Sequence, residues 1–418
     1  MGQSSRRFVS SYFSIPRGSR MPLARLLAVV LAVWSLACGS LPVWATPAGI
    51  ADSACVQQYD PTRDYFPDKA RLLHARGFTI EYFGHYKVLT VPSSWPAESQ
   101  SFRYLLVQCG TPVPDGYADA QLIYIPVKRV IVLSKPPLSH LELLDELGSL
   151  LALDSLDRVY SPTVRRMIAA GEVSAVGWSA TIDVERILAL NPDMVMATAY
   201  NQPQHNVHPL LQRVGIPVVV HTGYAEPSPL GQAEWLQFTA AFFNKEGLAQ
   251  RLIEALTARY QTLAALTRDI PEDRRPSVLT GALFGDTWYV PSSTSTLAQL
   301  LKTAGATYPW ADTEAVGNRP LDFEAVFAST WSADYWLTAK NEWLTRADML
   351  AADARYGQFQ AFQKGRVFNN NARLSEQGGN DYWERGVMEP DVVLADLIKI
   401  FHPELLPEHT LKYFRPLP

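Results

Sequence analysis

Eight histidines, three cysteines and 41 acidic residues are the raw material for any chemistry in this 418-residue chain. Two acidic pairs stand out by repetition: "IDVERILALNPDMVMA" opens with Asp183 and Glu185, and "LDFEAVFAS", about 140 residues later, opens with Asp322 and Glu324. "HNVH" (His205, His208) is a close histidine pair, and with His140 and His221 it could offer imidazoles to zinc or manganese. Solvated loop histidines are the plainer expectation for such spacing, so no metal ligands are assigned. The chain has no G-x-S-x-G elbow, no G-x-x-x-x-G-K-[ST] phosphate loop and no G-x-G-x-x-G turn. Carboxylates abound without a partner that gives any of them an acid or base role. "ALFGDTWYV" sets Asp286 among aromatics as a glycan-cleaving cleft would, but binding rather than catalysis is the expectation.

Composition, at 47% apolar and 19% charged, is globular, and the length suits two domains of ordinary size. The first 45 residues hold five arginines and no acid, so the remainder carries 32 basic against 41 acidic residues. Such a surface argues against nucleic acid, which needs clustered Lys and Arg. Residues 1–45 read as an export signal, with a basic head before the apolar run Leu26 to Cys38. That run is shorter than the roughly 20 residues a spanning helix needs. "SLACG" around Cys38 resembles a lipoprotein box, so the chain is expected outside the cytoplasm, cleaved near Ala45 or lipid-anchored through Cys38. Cys55 and Cys109 remain in the exported part, an even number that suggests one disulfide rather than metal ligation.

The elements expected to position these residues change character along the chain. Residues 46–127 contain β-branched and aromatic runs, "GFTIEYF", "HYKVLTV", "FRYLLVQC" and "QLIYIPV", the first two joined through Gly84 as a hairpin. From Lys128 to Glu246 the pattern alternates strand and helix. "RVIVLS", "DRVYS", "DMVMAT" and "PVVVHT" read as strands, and "LELLDELGSLLAL" and "SPLGQAEWLQFTAAFFNKEG" as helices, which predicts a covered parallel sheet. In 247–270, Leu248, Leu252, Leu256, Tyr260 and Leu263 mark one apolar stripe on a helix of about 23 residues. Residues 271–418 restart the alternation with "SVLTGALF", "DYWLTA" and "GRVFNNN". The fold class is therefore α/β: two Rossmann-like lobes with parallel sheets joined by one long helix, after a small β-rich module.

Two lobes joined by one helix in an exported chain resemble the helical-backbone class of solute-binding proteins that serve ABC importers of ferric siderophores, haem and cobalamin. The resemblance covers about Lys128 to Leu405, and its most specific piece is "DVERILALNPDMVMA"; "DFEAVFASTWSADYWL" is a looser version without the Pro-Asp pair. It implies a ligand held between the lobes and a monomer that docks on an inner-membrane ABC permease. It also implies one glutamate per lobe, Glu185 and Glu324, facing permease arginines. A carboxylate in the first turn of a helix is favoured there by the helix dipole.

Open α/β sheets bind ligands beyond the C-terminal ends of their strands. Among the loops expected there, Tyr200, Tyr224, Trp288, Tyr289, Arg373, Tyr382 and Trp383 are the candidate ligand contacts. Rings beside an arginine and several asparagines suit a large planar chelate with anionic oxygens. A ferric siderophore is expected, with cobalamin, haem or a directly bound zinc or manganese ion as alternatives, and no permanent cofactor.

Overall fold

The computed structural model describes residues 55–92, 101–200, 203–311 and 318–418. The stretch expected to be an export signal, with Cys38, lies outside the described residues. Among those described, no helix is long and apolar enough to cross a membrane.

The first sheet has strands β1 (Thr79–Tyr82), β2 (Tyr86–Val91), β3 (Phe102–Gln108) and β4 (Gln121–Ile125). The first three pair antiparallel and β4 joins β3 in parallel. Cys55 and Cys109 form a disulfide, and Val56 N–H donates to the Cys109 carbonyl at 2.8 Å, so the chain start is stitched to the end of β3. One apolar core contains Phe78, Leu89, Tyr104 and Ile123 from this region together with Val130, Trp235 and Phe238 from the lobe that follows.

That lobe carries β5 (Val130–Val132), β6 (Leu150–Leu153), β7 (Ser174–Ala175), β8 (Met194–Ala197) and β9 (Val218–Val220), all parallel in the order β7-β6-β5-β8-β9. Its central strands are continuous apolar runs because both faces are buried. Val130, Val132, Met194 and Met196 face the core shared with the first sheet, and Ile131, Val195 and Ala197 face the opposite one, as the period of two requires. Helices α1 (Lys135–Leu143), α2 (Pro162–Ala169), α3 (Val184–Leu190) and α4 (His208–Arg213) alternate with the strands.

Two expectations fail in this lobe. "KPPLSH" opens α1, with Pro136 and Pro137 in the first turn, where no intrahelical N–H is needed. That helix does not run on through "LGSLLAL", because Asp145 takes φ 59° and Leu150–Leu153 extends as β6. "DRVYS" is then a loop leaving β6, with no strand in it.

Helix α5 (Pro229–Ala240) is capped by Ser228 Oγ, which accepts from Gly231 N–H. It ends before Gly247, since Asn244 turns left-handed at φ 57°, and α6 (Glu246–Thr267) starts afresh. Those 22 residues span about 33 Å at 1.5 Å each. Ala249, Ile253 and Leu256 pack with Leu236 and Ala240 of the first lobe, while Tyr260, Leu263 and Ala264 enter the core of the second. The helix is thus embedded in both cores. Lys87 of β2 is fully buried and donates to Ala241 O, Asn244 Oδ1 and the Glu246 carboxylate at the start of α6.

The second lobe contains β10 (Val278–Thr280), β11 (Leu283–Phe284), β12 (Thr287–Pro291), β13 (Asn318–Leu321), β14 (Tyr335–Thr338), β15 (Val367–Asn369) and β16 (Arg415–Pro416). Strands β10, β14 and β15 are parallel, with β16 antiparallel at the edge. "FGDTWYVPSSTS", which holds the candidate contacts Trp288 and Tyr289, is largely the β11–β12 hairpin, which turns at Gly285 with φ 60° and is extended by β13. The helices are α7 (Thr296–Thr303), α8 (Phe323–Thr330), α9 (Arg346–Ala352), α10 (Gln360–Gln363), α11 (Asp381–Glu384) and α12 (Pro390–Phe401).

Candidate functional site

The loops leaving the C-terminal ends of β6 and β15 meet across the two lobes. Glu384 in α11 is 2% exposed and accepts from Tyr160 N–H at 2.9 Å and Ser161 N–H at 2.8 Å, both on the loop after β6. Ser139 of α1 donates to the Glu384 carbonyl at 2.6 Å. The Arg373 guanidinium lies 5.0 Å from the Tyr160 ring centroid and its Nε donates to Asp381 at 2.6 Å. In the first lobe Lys135 and Asp154, just past the ends of β5 and β6, pair at 3.3 Å. Burial pushes the Glu384 carboxyl up despite its two amide donors, and pushes Asp381 up against the pull of Arg373.

Further along the same edge of the first lobe, Tyr200 and Tyr224 stack with centroids 6.1 Å apart, and the Tyr224 hydroxyl donates to Ala199 O. Trp178, 45% exposed, stacks on His205 at 5.3 Å. Leu133, Trp178, Thr198, Tyr200 and His205 surround a space of about 10 Å³, room for no more than one water. A solute bound among these rings would therefore require them to part. Several buried polar atoms without a hydrogen-bond partner among the described residues sit at these strand ends: Ser134 Oγ, His221 Nε2 and Thr222 Oγ1 on one lobe, Thr338 Oγ1, Asn370 Oδ1 and Asn371 Oδ1 on the other. Unpaired buried polar groups are uncommon, and here they gather where open sheets take ligands.

The candidate contacts divide. Tyr200 and Tyr224 come together, and Tyr289 and Trp383 are each 47% exposed. Trp288 is not available: it is fully buried, stacks on Trp336 at 5.8 Å and donates from Nε1 to Thr280 O. The alternation along β12 turns it inward and Tyr289 outward. Tyr382 packs against Tyr413 and Phe414, and Arg373 is committed to Asp381.

A family model described as periplasmic binding protein matches residues 130–374, more than half of the chain. The chain belongs to that family. This binding protein is 25% identical over 330 residues to an uncharacterised lipoprotein of Methanocaldococcus jannaschii, the match covering 75% of each. Among solved structures it is similar to the molybdate periplasmic binding protein MolA of Haemophilus influenzae, with 20% identity and a TM-score of 0.53 over 68% of this chain and 89% of that one. It is also similar to an ABC transporter substrate-binding protein from Listeria monocytogenes, with 16% identity and a TM-score of 0.50 over 66% and 99%. These likenesses show the shared fold.

In this periplasmic binding protein the two repeated acids occupy equivalent corners. Asp183 caps α3 by accepting from Arg186 N–H at 2.9 Å, and Asp322 caps α8 by accepting from Ala325 N–H at 2.7 Å. Glu185 and Glu324 follow two residues later and are exposed. The four histidines do not converge: His140 and His221 lie 5.3 Å apart in the interior, His205 stacks on Trp178, and His208 meets Phe102 edge-on. Among the described residues no group of three or more His, Cys, Asp or Glu could hold a metal ion. Sequence reasoning missed Lys135, Asp154, Tyr160 and Glu384. Reading β6 as the end of a helix and the loop behind it as a strand hid Asp154 and Tyr160; a left-handed turn at Asp145 left no apolar signature.

Proposed function

We propose that the protein is the extracytoplasmic receptor of an ABC importer, capturing a metal chelate between its lobes and delivering it to a membrane permease. The observation that carries this reading is the meeting of the β6 and β15 loops, where aromatic faces and unpartnered polar atoms from both lobes surround one edge. A ferric siderophore suits this chemistry best: rings supply contact area, and amides, hydroxyls and Lys135 address anionic oxygens. Because α6 is fixed in both cores, closure is a small rocking of the lobes rather than a wide hinge motion. Glu185 and Glu324 then offer one exposed carboxylate per lobe to permease arginines.

Tryptophan fluorescence tests the reading directly, since Trp178 and Trp383 flank the cleft loops and are half-exposed. Saturable quenching by a ferric siderophore is expected when the mature protein is titrated with siderophores, haemin, cobalamin, zinc and molybdate. Response to none of them removes the receptor assignment; response to zinc or molybdate alone removes the chelate. Glu185→Arg and Glu324→Arg should abolish uptake while affinity stays within about two-fold, because a surface charge far from the ligand contributes little to binding.

A further inference from the structure

A cavity of about 310 Å³ lies not among the cleft rings but where three segments converge. Leu73, His74 and Arg76 come from the segment preceding β1, Pro227 and Ser228 from the turn into α5, and Thr294 and Gln299 from the start of α7. The first lobe, the second lobe and the N-terminal region each supply a wall. Thr296 of α7 also reaches across to the Glu226 carbonyl at 3.4 Å, so the lobes touch beside it.

The wall from the N-terminal region is held with unusual economy. Five consecutive backbone N–H groups, Leu73 to Gly77, donate to two buried carboxylates. Glu234 takes Leu73, His74 and Ala75 at 2.6–3.1 Å. Glu226 takes Arg76 at 2.9 Å and Gly77 at 2.7 Å, together with Trp235 Nε1 at 2.8 Å. Glu226 is 4% and Glu234 1% exposed. Charge-assisted bonds of this kind are short and strong. With the backbone fixed from below, the side chains of His74 and Arg76 are left to the cavity. Both have donors to spare: His74 Nε2 is buried with no hydrogen-bond partner, and the Arg76 guanidinium has no ion pair or hydrogen bond among the described residues. Ser228, Thr294 and Gln299 complete a polar lining beside Leu73 and Pro227, with Gln299 Nε2 held by the Ser293 carbonyl at 2.8 Å and the Thr294 hydroxyl 3.3 Å from that of Ser292.

We propose that this cavity is a second binding site, for a small oxyanion such as a carboxylate- or phosphate-bearing solute, with Arg76 as its charged anchor. Glu234 and Glu226 Oε1 are each matched by three N–H donors, and Glu226 Oε2, buried without a partner among the described residues, is left to accept from a hydroxyl of the occupant, which citrate and hydrogen phosphate both carry. Since Thr294 and Gln299 belong to the opposite lobe from Ser228, an occupant touches both lobes and its affinity is coupled to their closure, reciprocally with that of the cleft ligand. The site does not depend on which chelate the cleft takes.

Calorimetric titration of the mature protein with citrate and, separately, with inorganic phosphate tests it. Saturable binding of one or both is expected, weakened about ten-fold or more in Arg76→Ala by loss of a charge-assisted contact, and weakened several-fold in Thr294→Val from the other lobe. Chelate-induced fluorescence quenching, which reads the cleft alone, should retain its amplitude in Arg76→Ala. Absence of binding by either anion, or equal affinity of Arg76→Ala and wild type, overturns the site whatever the cleft titration shows. Should Arg76→Ala unfold, Thr294→Val decides, being an exposed loop position.

Discussion

Lowering the pH should destabilise this protein through its buried imidazoles. His221 is 4% exposed and enclosed by Trp235, Phe238 and His140, with centroids at 4.5, 5.6 and 5.3 Å. Burial moves its pKa down from 6.5 to about 3. His140, fully buried and hydrogen-bonded to Thr239 and Met388, is also held well below its usual value, by burial first and by His221 second. A depressed histidine is neutral in the folded state and takes up a proton on unfolding, so its contribution is complete above pH 6.5 and is lost as pH falls toward the folded value. For His221 the loss between about pH 7.5 and about pH 5 is about 2 kcal/mol, because over that range only the unfolded chain titrates. His140 adds in the same direction, while Glu384 and Asp381, whose pKa values are raised by burial, act oppositely. Urea unfolding at the two pH values, for wild type and His221→Phe, isolates the term. The variant should lose about 2 kcal/mol of the pH dependence, whatever its absolute stability. Identical pH dependence in the two proteins would show that His221 titrates as a solvated group and would refute the burial argument.

Two further outcomes follow from the interior. Lys87→Met leaves Glu246 buried beside Tyr82 without its cation and should cost about 3–5 kcal/mol in urea unfolding; a loss below about 1 kcal/mol would mean that water reaches the pair. Trp288→Phe should cost about 1–3 kcal/mol of stability and leave cleft affinity unchanged, whereas Tyr224→Ala should weaken the ligand by about ten-fold, the scale of a lost aromatic contact. Both are read in the same fluorescence titration, and a ligand effect of Trp288→Phe larger than that of Tyr224→Ala would return the indole to the cleft.

The parts of the fold legible in the sequence are those where period and burial agree. Val130–Val132, Met194–Ala197 and Val218–Val220 are uninterrupted apolar runs because the sheet is covered on both faces. The stripe through Leu256 and Tyr260 identified the lobe-joining helix because it must satisfy two cores in succession. Illegible were positions where two signals collide. Leu150–Leu153 is as apolar as a helix flank, and only backbone geometry at Asp145 separates it from α1. Trp288 and Tyr289 are both aromatic, and register alone decides which enters the core. The cleft contacts between Glu384 and the Tyr160 and Ser161 amides join residues more than two hundred positions apart, with no local signature at either end.

The repeated acids carry more than their first appearance suggested. The second copy lacks the proline of the first, yet it keeps the aspartate. Asp193 accepts from the amides of Lys128 and Arg129 ahead of β5, and Asp334 accepts from the Ser277 amide and hydroxyl ahead of β10. Each lobe thus uses one aspartate to cap the helix and a second to fix the entry of its first parallel strand, which holds the helix that bears the exposed glutamate. Glu324 differs from Glu185 in having a nearby cation, Arg355 at 3.4 Å, but that arginine is already held by Asp353 and lies 4.1 Å from the Phe323 ring centroid. An exposed pair of this kind contributes about 0–1 kcal/mol. A permease arginine could therefore displace it at little cost, so the proposed two-point docking does not require the two corners to have identical neighbours; it requires that both helices keep their aspartate caps.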